Sequence, residues 1–248
     1  MHLLEGEGIT RYFGGLAAVA DVDFYVDEGE VLGLIGPNGA GKTTLFNLIS
    51  AALNPKPGVI RFEGNDITRK KPYQICRLGV ARTFQTVKIF GGLPVMQNVL
   101  AAAYFGGRSY VSTGEAEQRA REALAFVGMT ASATAPAHDL TLANQKKLEV
   151  ARALATKPKV LLLDEIMAGL THTEVTEAMA LIRRIREQGV TIIMIEHVMQ
   201  AIMNICDRII VLDHGKKIAE GTPREVAADP KVIQVYLGED ADAGHQPD

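Results

Sequence analysis

Short apolar runs alternate with longer amphipathic segments along the chain. Three continuous apolar runs of strand length occur at Val31–Ile35, 160–163 and 190–195. Such runs are typical of strands covered on both faces, as in a mostly parallel sheet. Between the last two, residues 173–188 place apolar side chains every three or four positions, which predicts an amphipathic helix. The pattern therefore predicts an α/β protein.

Other strand-like segments lie beside turns. Residues 22–26 and Val59–Phe62 each adjoin a Gly-containing turn and predict an antiparallel portion near the N-terminus. Residues 208–212 and 217–220 flank the turn Asp-His-Gly-Lys, which predicts a β-hairpin.

The middle of the chain has a different pattern. Residues 86–157 contain helix signals and no convincing strand, and the helix signals are strongest at 115–127 and 145–155. We therefore predict one domain with an all-helical subdomain at 86–157 inserted into an α/β core of residues 1–85 and 158–238. Residues 239–248 are polar and acidic and are expected to form a frayed tail.

Composition excludes several classes of protein. The chain has 248 residues, of which 47% are hydrophobic and 22% charged, and its net charge is −3. These values fit a globular protein, and they argue against one that coats nucleic acid, since such proteins need a basic excess. The two cysteines, Cys76 and Cys206, form no metal-binding pattern, which favours a reducing compartment.

One uncharged segment, residues 89–107, is long enough to cross a bilayer. It contains two Gly-Gly pairs, Pro94, Gln97 and Asn98, so a spanning helix is not expected. The N-terminus carries acidic residues where a signal peptide would carry basic ones. We therefore expect neither a transmembrane segment nor a signal peptide.

The strongest motif is a complete G-x-x-x-x-G-K-[ST] loop at residues 36–43, between a predicted strand and a predicted helix. Glycines let successive backbone N–H groups point at one anion, and the helix N-terminus adds its positive end. Lys42 would contact the β- and γ-phosphates, and the Thr43 hydroxyl would hold Mg²⁺. The alternative is a glycine-rich turn before a helix. The candidate nucleotide-binding residues are Gly36, Pro37, Asn38, Gly39, Ala40, Gly41, Lys42, Thr43 and Thr44.

A second group of candidates follows the later strands. Asp164 and Glu165 end an apolar strand, where ligands bind in parallel sheets. Asp164 would hold Mg²⁺, and Glu165 would polarise a water for attack on the γ-phosphate. The alternative, an acidic pair that caps the next helix, is weakened by the phosphate loop. His197 follows the strand at 190–195 and, taken alone, is more typical of a structural residue, although a neutral imidazole could contact a γ-phosphate.

Taken in order, these residues resemble the nucleotide-binding subunits of ABC transporters, over about residues 4–238. Residues 36–43 resemble the Walker A loop and 160–165 the Walker B strand with its catalytic glutamate. The resemblance implies that Gln85 is the Q-loop glutamine, a catalytic residue and a Mg²⁺ ligand, and that His197 is the switch histidine. It also implies that Phe13 stacks on adenine, with Tyr12 as the neighbouring candidate.

Three segments, 11–19, 80–85 and 229–238, are most similar to the ATP-binding subunits of branched-chain amino-acid importers. Urea and amide importers and lipopolysaccharide-export ATPases share much of this pattern. The resemblance implies an ATPase on the cytoplasmic face of a membrane, with ATP and Mg²⁺ as ligands.

The implied partners are a second ATP-binding subunit arranged head to tail, two membrane-embedded permease subunits and, indirectly, an extracytoplasmic solute-binding protein. No nucleic-acid partner is implied. Segment 89–107 would either contact the permeases or pack within the helical subdomain. Two alternatives stay open: a soluble ABC-type ATPase without a permease, and a module that binds ATP without hydrolysing it.

The sequence departs from the family pattern at the signature. Leu-Ser-Gly-Gly-Gln is replaced by residues 140–144, Leu-Thr-Leu-Ala-Asn. In the family this stretch binds the γ-phosphate held by the partner subunit, so Thr141 and Ala143 are candidate nucleotide-binding residues. Thr141 keeps a hydroxyl, but Ala143 replaces a glycine and Leu142 is bulky. We therefore expect normal ATP binding at 36–43 and a weakened composite site. Two further departures are Ile166, where proline is usual, and Thr171, where Asp or Asn is common.

Overall fold

The computed structural model describes residues 2–107 and 111–242. Its contacts divide the chain into two compact units. The first unit combines the N-terminal part, up to Arg69, with the part that begins at Ile193, and the second unit runs from Lys70 to Ile192.

In chain order the strands are β1 (Leu4–Phe13), β2 (Leu16–Val26), β3 (Val31–Ile35), β4 (Val59–Phe62), β5 (Asn65–Asp66), β6 (Val80–Arg82), β7 (Val160–Asp164), β8 (Thr191–Ile195), β9 (Arg208–Asp213) and β10 (Lys216–Gly221). The helices are α1 (Lys42–Ile49), α2 (Pro72–Leu78), α3 (Val95–Gly106), α4 (Thr113–Phe126), α5 (Leu142–Ala155), α6 (His172–Glu187), α7 (Met199–Ile205), α8 (Pro223–Ala228) and α9 (Pro230–Asp242).

The first unit contains an antiparallel sheet in the order β2-β1-β4-β5. Leu4 of β1 lies opposite Val26 of β2 on one side and opposite Phe62 of β4 on the other, and all three side chains are buried. The predicted antiparallel portion near the N-terminus is confirmed. Strand β1 was not predicted, because irregular pairing between Gly6 and Ile9 breaks its alternation.

Strand β3 leads towards the phosphate loop. All five of its residues are buried, and it pairs in parallel with β9. Strand β9 also pairs antiparallel with β10, which confirms the predicted hairpin at 208–220. A continuous apolar run suits a strand such as β3, because both of its faces are covered.

The second unit contains the predicted helical segment. In the described part of 86–157, the regular elements are α3, α4, α5 and two single-turn 3₁₀ helices, at 130–132 and 137–139. Strands β6 and β7 of this unit pair in parallel, with Arg82 opposite Leu162. Helix α6 buries the apolar face predicted for it, from Val175 to Ile185. The fully buried strand β8 carries the chain from this unit back to the first.

Two predictions concern the tail and the membrane. Helix α9 continues to Asp242, so the expectation of a frayed tail is wrong for residues 239–242. The Glu-Asp-Ala-Asp stretch contains no proline, so it can continue a helix that has already formed. Residues 243–248 lie outside the described residues. Among the helices of the described residues, none is long and apolar enough to cross a membrane.

Candidate functional site

The phosphate loop has a backbone conformation that favours glycine. Gly36, Gly39 and Gly41 have φ of 146°, 79° and 103°, a region that other residues rarely adopt. A Cβ at Gly36 would lie 2.0 Å from the carbonyl oxygen of Leu212, and one at Gly41 would lie 2.3 Å from that of Ala18. Both the dihedral angles and the close backbone contacts therefore require glycine at the two ends of the loop.

Lys42 is held by the loop that precedes it. Its side chain is buried, and Nζ donates hydrogen bonds to the carbonyl oxygens of Gly36 at 2.5 Å and Pro37 at 2.8 Å. Helix α1 begins at Lys42 with Gly41 as its N-cap, with no side-chain cap and no acidic residue in its first turn. No side-chain cap therefore competes with an anion for this helix N-terminus and its dipole.

The other residues of the loop differ in exposure. Asn38, Gly39 and Thr43 are exposed, whereas Ala40 is buried and its N–H donates to the carbonyl of Pro37 at 3.2 Å. Thr44 is half-buried. The exposed Thr43 hydroxyl, in the first turn of α1, can take part in holding a cation.

The candidate adenine-stacking residue lies at a hairpin tip. Phe13 is the last residue of β1 and, like Tyr12, is exposed. The guanidinium of Arg11 lies 5.4 Å from the centroid of the Phe13 ring. An exposed aromatic ring can stack on a purine, so Phe13 stays a prediction with suitable exposure.

Asp164 ends β7 and is 1% exposed. Its Oδ2 accepts a hydrogen bond from Nη2 of Arg82 at 2.8 Å. Its Oδ1 is also buried and has no hydrogen-bond partner among residues 2–107 and 111–242. A buried carboxylate oxygen without a donor is costly, and it is the ligand type that Mg²⁺ prefers. This atom therefore fits the predicted role of Asp164.

The structure brings Gln85 and Glu165 together. Gln85 Nε2 donates to Oε2 of Glu165 at 2.8 Å. Glu165 has a φ of 51°, a left-handed conformation that non-glycine residues adopt only when they are held by their surroundings. Its carbonyl oxygen accepts from Nζ of the buried Lys146 at 2.9 Å, and the same ammonium donates to the carbonyl of Ala168 at 2.7 Å.

Sequence reasoning did not find Arg82 or Lys146. Arg82 lies at the end of a three-residue strand that showed no periodicity, and Lys146 lies on a helix rich in charged residues. Lys146 follows the buried Ala143 by three positions and so lies on the buried face of α5, which the sequence pattern did not reveal.

The signature segment begins helix α5. Thr141 is the N-cap, and its hydroxyl accepts from the N–H of Asn144 at 3.4 Å. Leu142 is 45% exposed, whereas Ala143 is 8% exposed and lines a small apolar cavity together with Ile166. Two of the unusual residues, Ala143 and Ile166, therefore face the interior of the second unit.

The third unusual residue, Thr171, is the N-cap of α6. Its hydroxyl oxygen accepts from the N–H of Glu174 at 3.4 Å, and its own N–H donates to Oε2 of Glu174 at 2.8 Å, which together form a capping box. The hydroxyl also donates to the same carboxylate oxygen at 2.8 Å. These hydrogen bonds lower the pKa of Glu174. Thr171 therefore performs the N-cap role that Asp or Asn would also fulfil.

His197 lies just after β8 and is exposed, whereas the preceding Glu196 is buried. Like the phosphate loop and Phe13, it belongs to the first unit. Gln85, Asp164 and Glu165 belong to the second unit.

Among the described residues no group of three or more His, Cys, Asp or Glu side chains could hold a metal ion. A Mg²⁺ ion at Asp164 would therefore need hydroxyl, amide, phosphate or water oxygens as well.

Comparisons with known proteins agree with the resemblance. A family model described as ABC transporter matches residues 19–168. A second, described as branched-chain amino acid ATP-binding cassette transporter, matches residues 216–242.

The curated relatives are similar over nearly their whole length. The chain is 39% identical to the high-affinity branched-chain amino acid transport ATP-binding protein BraF of Pseudomonas aeruginosa, over 96% of this chain and 98% of that protein. It is 38% identical to LivG of Escherichia coli, which has the same description, over 96% of this chain and 98% of that protein.

A solved structure of an ATP-binding cassette of an ABC transporter in its ADP conformation has a TM-score of 0.87 at 31% identity, covering 96% of this chain and 99% of the other. The mixed sheets, the phosphate loop and these likenesses establish a P-loop NTPase α/β fold. The chain belongs to the ABC transporter family, as an ATP-binding cassette of the type that hydrolyses ATP to power transport.

Proposed function

We propose that this chain is the ATP-hydrolysing subunit of an importer of branched-chain amino acids. The observation that carries the proposal is the 39% identity to BraF, over 96% of this chain. The match of the branched-chain family model to residues 216–242 supports it independently of the nucleotide-binding motifs.

ATP is bound by the phosphate loop in this proposal. The uncapped N-terminus of α1 provides N–H donors to the phosphates. Lys42, which now donates to the carbonyls of Gly36 and Pro37, contributes its positive charge to the β- and γ-phosphates. Phe13 stacks on the adenine ring, and its exposure supports this role.

Asp164, Thr43 and Gln85 are the proposed ligands of Mg²⁺. The buried Oδ1 of Asp164, which lacks a hydrogen-bond donor among the described residues, supports the assignment most directly. When bound, the ion neutralises charge on the phosphates.

Glu165 is the proposed general base, which polarises the attacking water. The hydrogen bond from Gln85 Nε2 to Oε2 orients the Glu165 carboxylate, which supports this role. His197, in its neutral form, contacts the γ-phosphate or the water.

The proposed assembly contains a second ATP-binding subunit head to tail, two permease subunits and, indirectly, an extracytoplasmic solute-binding protein. The chain would lie on the cytoplasmic face of the membrane. Segment 89–107 presents large apolar side chains to solvent, namely Phe90, Leu93 and Phe105. Exposed apolar side chains of this kind often mark an interface, and we propose that this segment contacts the permeases.

The catalytic assignment is tested by Glu165→Gln. The amide cannot act as a base, but it keeps an oxygen that accepts from Gln85. We expect ATP turnover to fall by about 10²–10⁴-fold, the range of general base catalysis, while the affinity for a fluorescent ATP analogue changes little. An unchanged turnover would remove Glu165 from this role and favour a module that binds ATP without hydrolysing it.

The transport assignment is tested by purifying the chain from membranes and identifying the membrane subunits and the solute-binding protein that accompany it. We expect a binding protein that binds leucine, isoleucine or valine, and proteoliposomes that take up these amino acids with ATP. Binding of urea or an amide instead would replace the substrate, and the absence of membrane subunits would favour a soluble ATPase.

A further inference from the structure

Helix α5 carries three charged residues on one face. Lys146, Glu149 and Arg152 are three positions apart, and we call them the α5 ridge. Lys146 and Glu149 are buried, and Arg152 is half-buried. Charged groups are seldom buried without compensating partners, so the contacts of this ridge indicate what it holds in place.

The N-terminal end of the ridge holds the segment that carries Glu165. Lys146 Nζ donates to the carbonyl oxygens of Glu165 at 2.9 Å and of Ala168 at 2.7 Å. These two bonds close the turn that follows β7. They also restrain Glu165 in its left-handed conformation, which a non-glycine residue does not favour.

The other end of the ridge holds the segment that carries Gln85. A carboxylate oxygen of Glu149 accepts from the N–H of Lys88 at 2.7 Å, and the backbone N–H of Phe84 also bonds this carboxylate. Arg152 Nη1 donates to the carbonyl of Lys88. Burial raises the pKa of Glu149, and these backbone hydrogen bonds oppose that shift.

The two segments meet at the 2.8 Å hydrogen bond between Gln85 and Glu165. One helix therefore holds Glu165 through its own backbone and Gln85 through the backbones of Phe84 and Lys88 on either side of it. The same helix begins with the signature residues, whose Leu142 is exposed.

We infer that Lys146 and Glu149 are positioning residues that fix the Gln85–Glu165 pair to the signature helix by holding the backbone segments that carry the two side chains. The inference rests on the proposed roles of Gln85 and Glu165 in hydrolysis. The inference links the signature of this chain to its own proposed catalytic side chains. Two buried charged residues form the link, and contact with nucleotide is not part of it.

The test uses Lys146→Met in the full-length chain, with Lys147→Met as the matched control. Lys147 lies on the same helix, and its ammonium pairs with Glu177 near the surface at 2.8 Å. Steady-state ATP hydrolysis gives kcat and KM. Because small misplacements of catalytic groups cost large factors in rate, we expect Lys146→Met to lower kcat about tenfold or more and to change KM for ATP less than about twofold. Lys147→Met should change both by less than about twofold.

A second pair of variants keeps the test decisive if Lys146→Met does not fold. Glu149→Gln retains an oxygen that accepts from the N–H of Lys88, whereas Glu149→Leu does not. We expect Glu149→Leu to lower kcat about as far as Lys146→Met, and Glu149→Gln to recover most of that loss.

Two results would overturn the inference. One is a kcat of Lys146→Met or Glu149→Leu within about twofold of the unsubstituted chain. The other is a rise in KM as large as the fall in kcat, which would indicate general loosening. Glu165→Gln is measured in parallel. If it keeps full turnover, the proposed role of Glu165 fails and the inference with it; if it loses turnover while the α5 ridge variants do not, the inference alone fails.

Discussion

Two lysines are buried, one in each unit, and each donates hydrogen bonds to two backbone carbonyl oxygens. They differ in where those carbonyls lie along the sequence. Lys42 donates to carbonyls five and six residues before it, within one loop. Lys146 donates to carbonyls 19 and 22 residues after it, across a helix and a strand. The first arrangement is local and is described by a sequence motif. The second depends on tertiary structure, and no motif describes it.

The same contrast separates two groups of proposed functional residues, one in each unit. The phosphate loop is built from backbone: three glycines with positive φ and the uncapped start of α1. The region around Asp164 and Glu165 is built from side chains that pair over about eighty residues of sequence, Arg82 with Asp164 and Gln85 with Glu165. We therefore expect substitutions in the phosphate loop to act through backbone conformation, and substitutions around Asp164 and Glu165 to act through the loss of a side-chain partner.

The largest effect on stability is expected for Arg82→Met. It would leave the 1% exposed carboxylate of Asp164 without its cation, and removing one partner of a buried ion pair costs about 3–5 kcal/mol. Denaturant unfolding of the full chain measures the loss. The control is Arg61→Met, which breaks an exposed pair with Glu7, also at 2.8 Å. It should cost much less stability than Arg82→Met, because solvent screens an exposed pair. Equal losses in the two variants would contradict the view that burial makes the Arg82 pair important.

A smaller effect, on nucleotide affinity, is expected within the phosphate loop. Gly36→Ala places a Cβ 2.0 Å from the Leu212 carbonyl, whereas Gly39→Ala meets no atom within 4 Å and pays only for its positive φ of 79°. That conformational cost is about 1–2 kcal/mol. We expect Gly36→Ala to weaken binding of a fluorescent ATP analogue at least about tenfold more than Gly39→Ala. Similar affinities would mean that dihedral angle, and not close backbone contact, sets the requirement for glycine.

The contrast also explains what the sequence could predict. Strand β3, the loop and the start of α1 follow from apolar runs and glycine spacing, and their positions agree with prediction. The helical nature of 86–157 followed from composition and is confirmed in the described residues. The bond between Gln85 and Glu165 could not be predicted from the residues alone, because it depends on how β6 and β7 pair. The α5 ridge could not be predicted either. A charged residue on a helix is normally solvated, and only tertiary structure shows that these residues are buried.

The smallest expected effect is on kcat and concerns the signature residues. Here the burial seen in the structure changes what the sequence pattern alone would predict. The sequence attributed the weakened composite site to Ala143, which replaces a glycine, and to the bulk of Leu142. In the structure Ala143 is 8% exposed, whereas Leu142 is 45% exposed. We therefore expect Leu142→Ser to raise kcat of the assembled ATPase about two- to fivefold, which is less than about 1 kcal/mol of barrier. Ala143→Gly should raise it less than about twofold and should lower stability by about 1 kcal/mol, the helix penalty of glycine. A larger gain from Ala143→Gly than from Leu142→Ser would show that close approach of the backbone limits the rate.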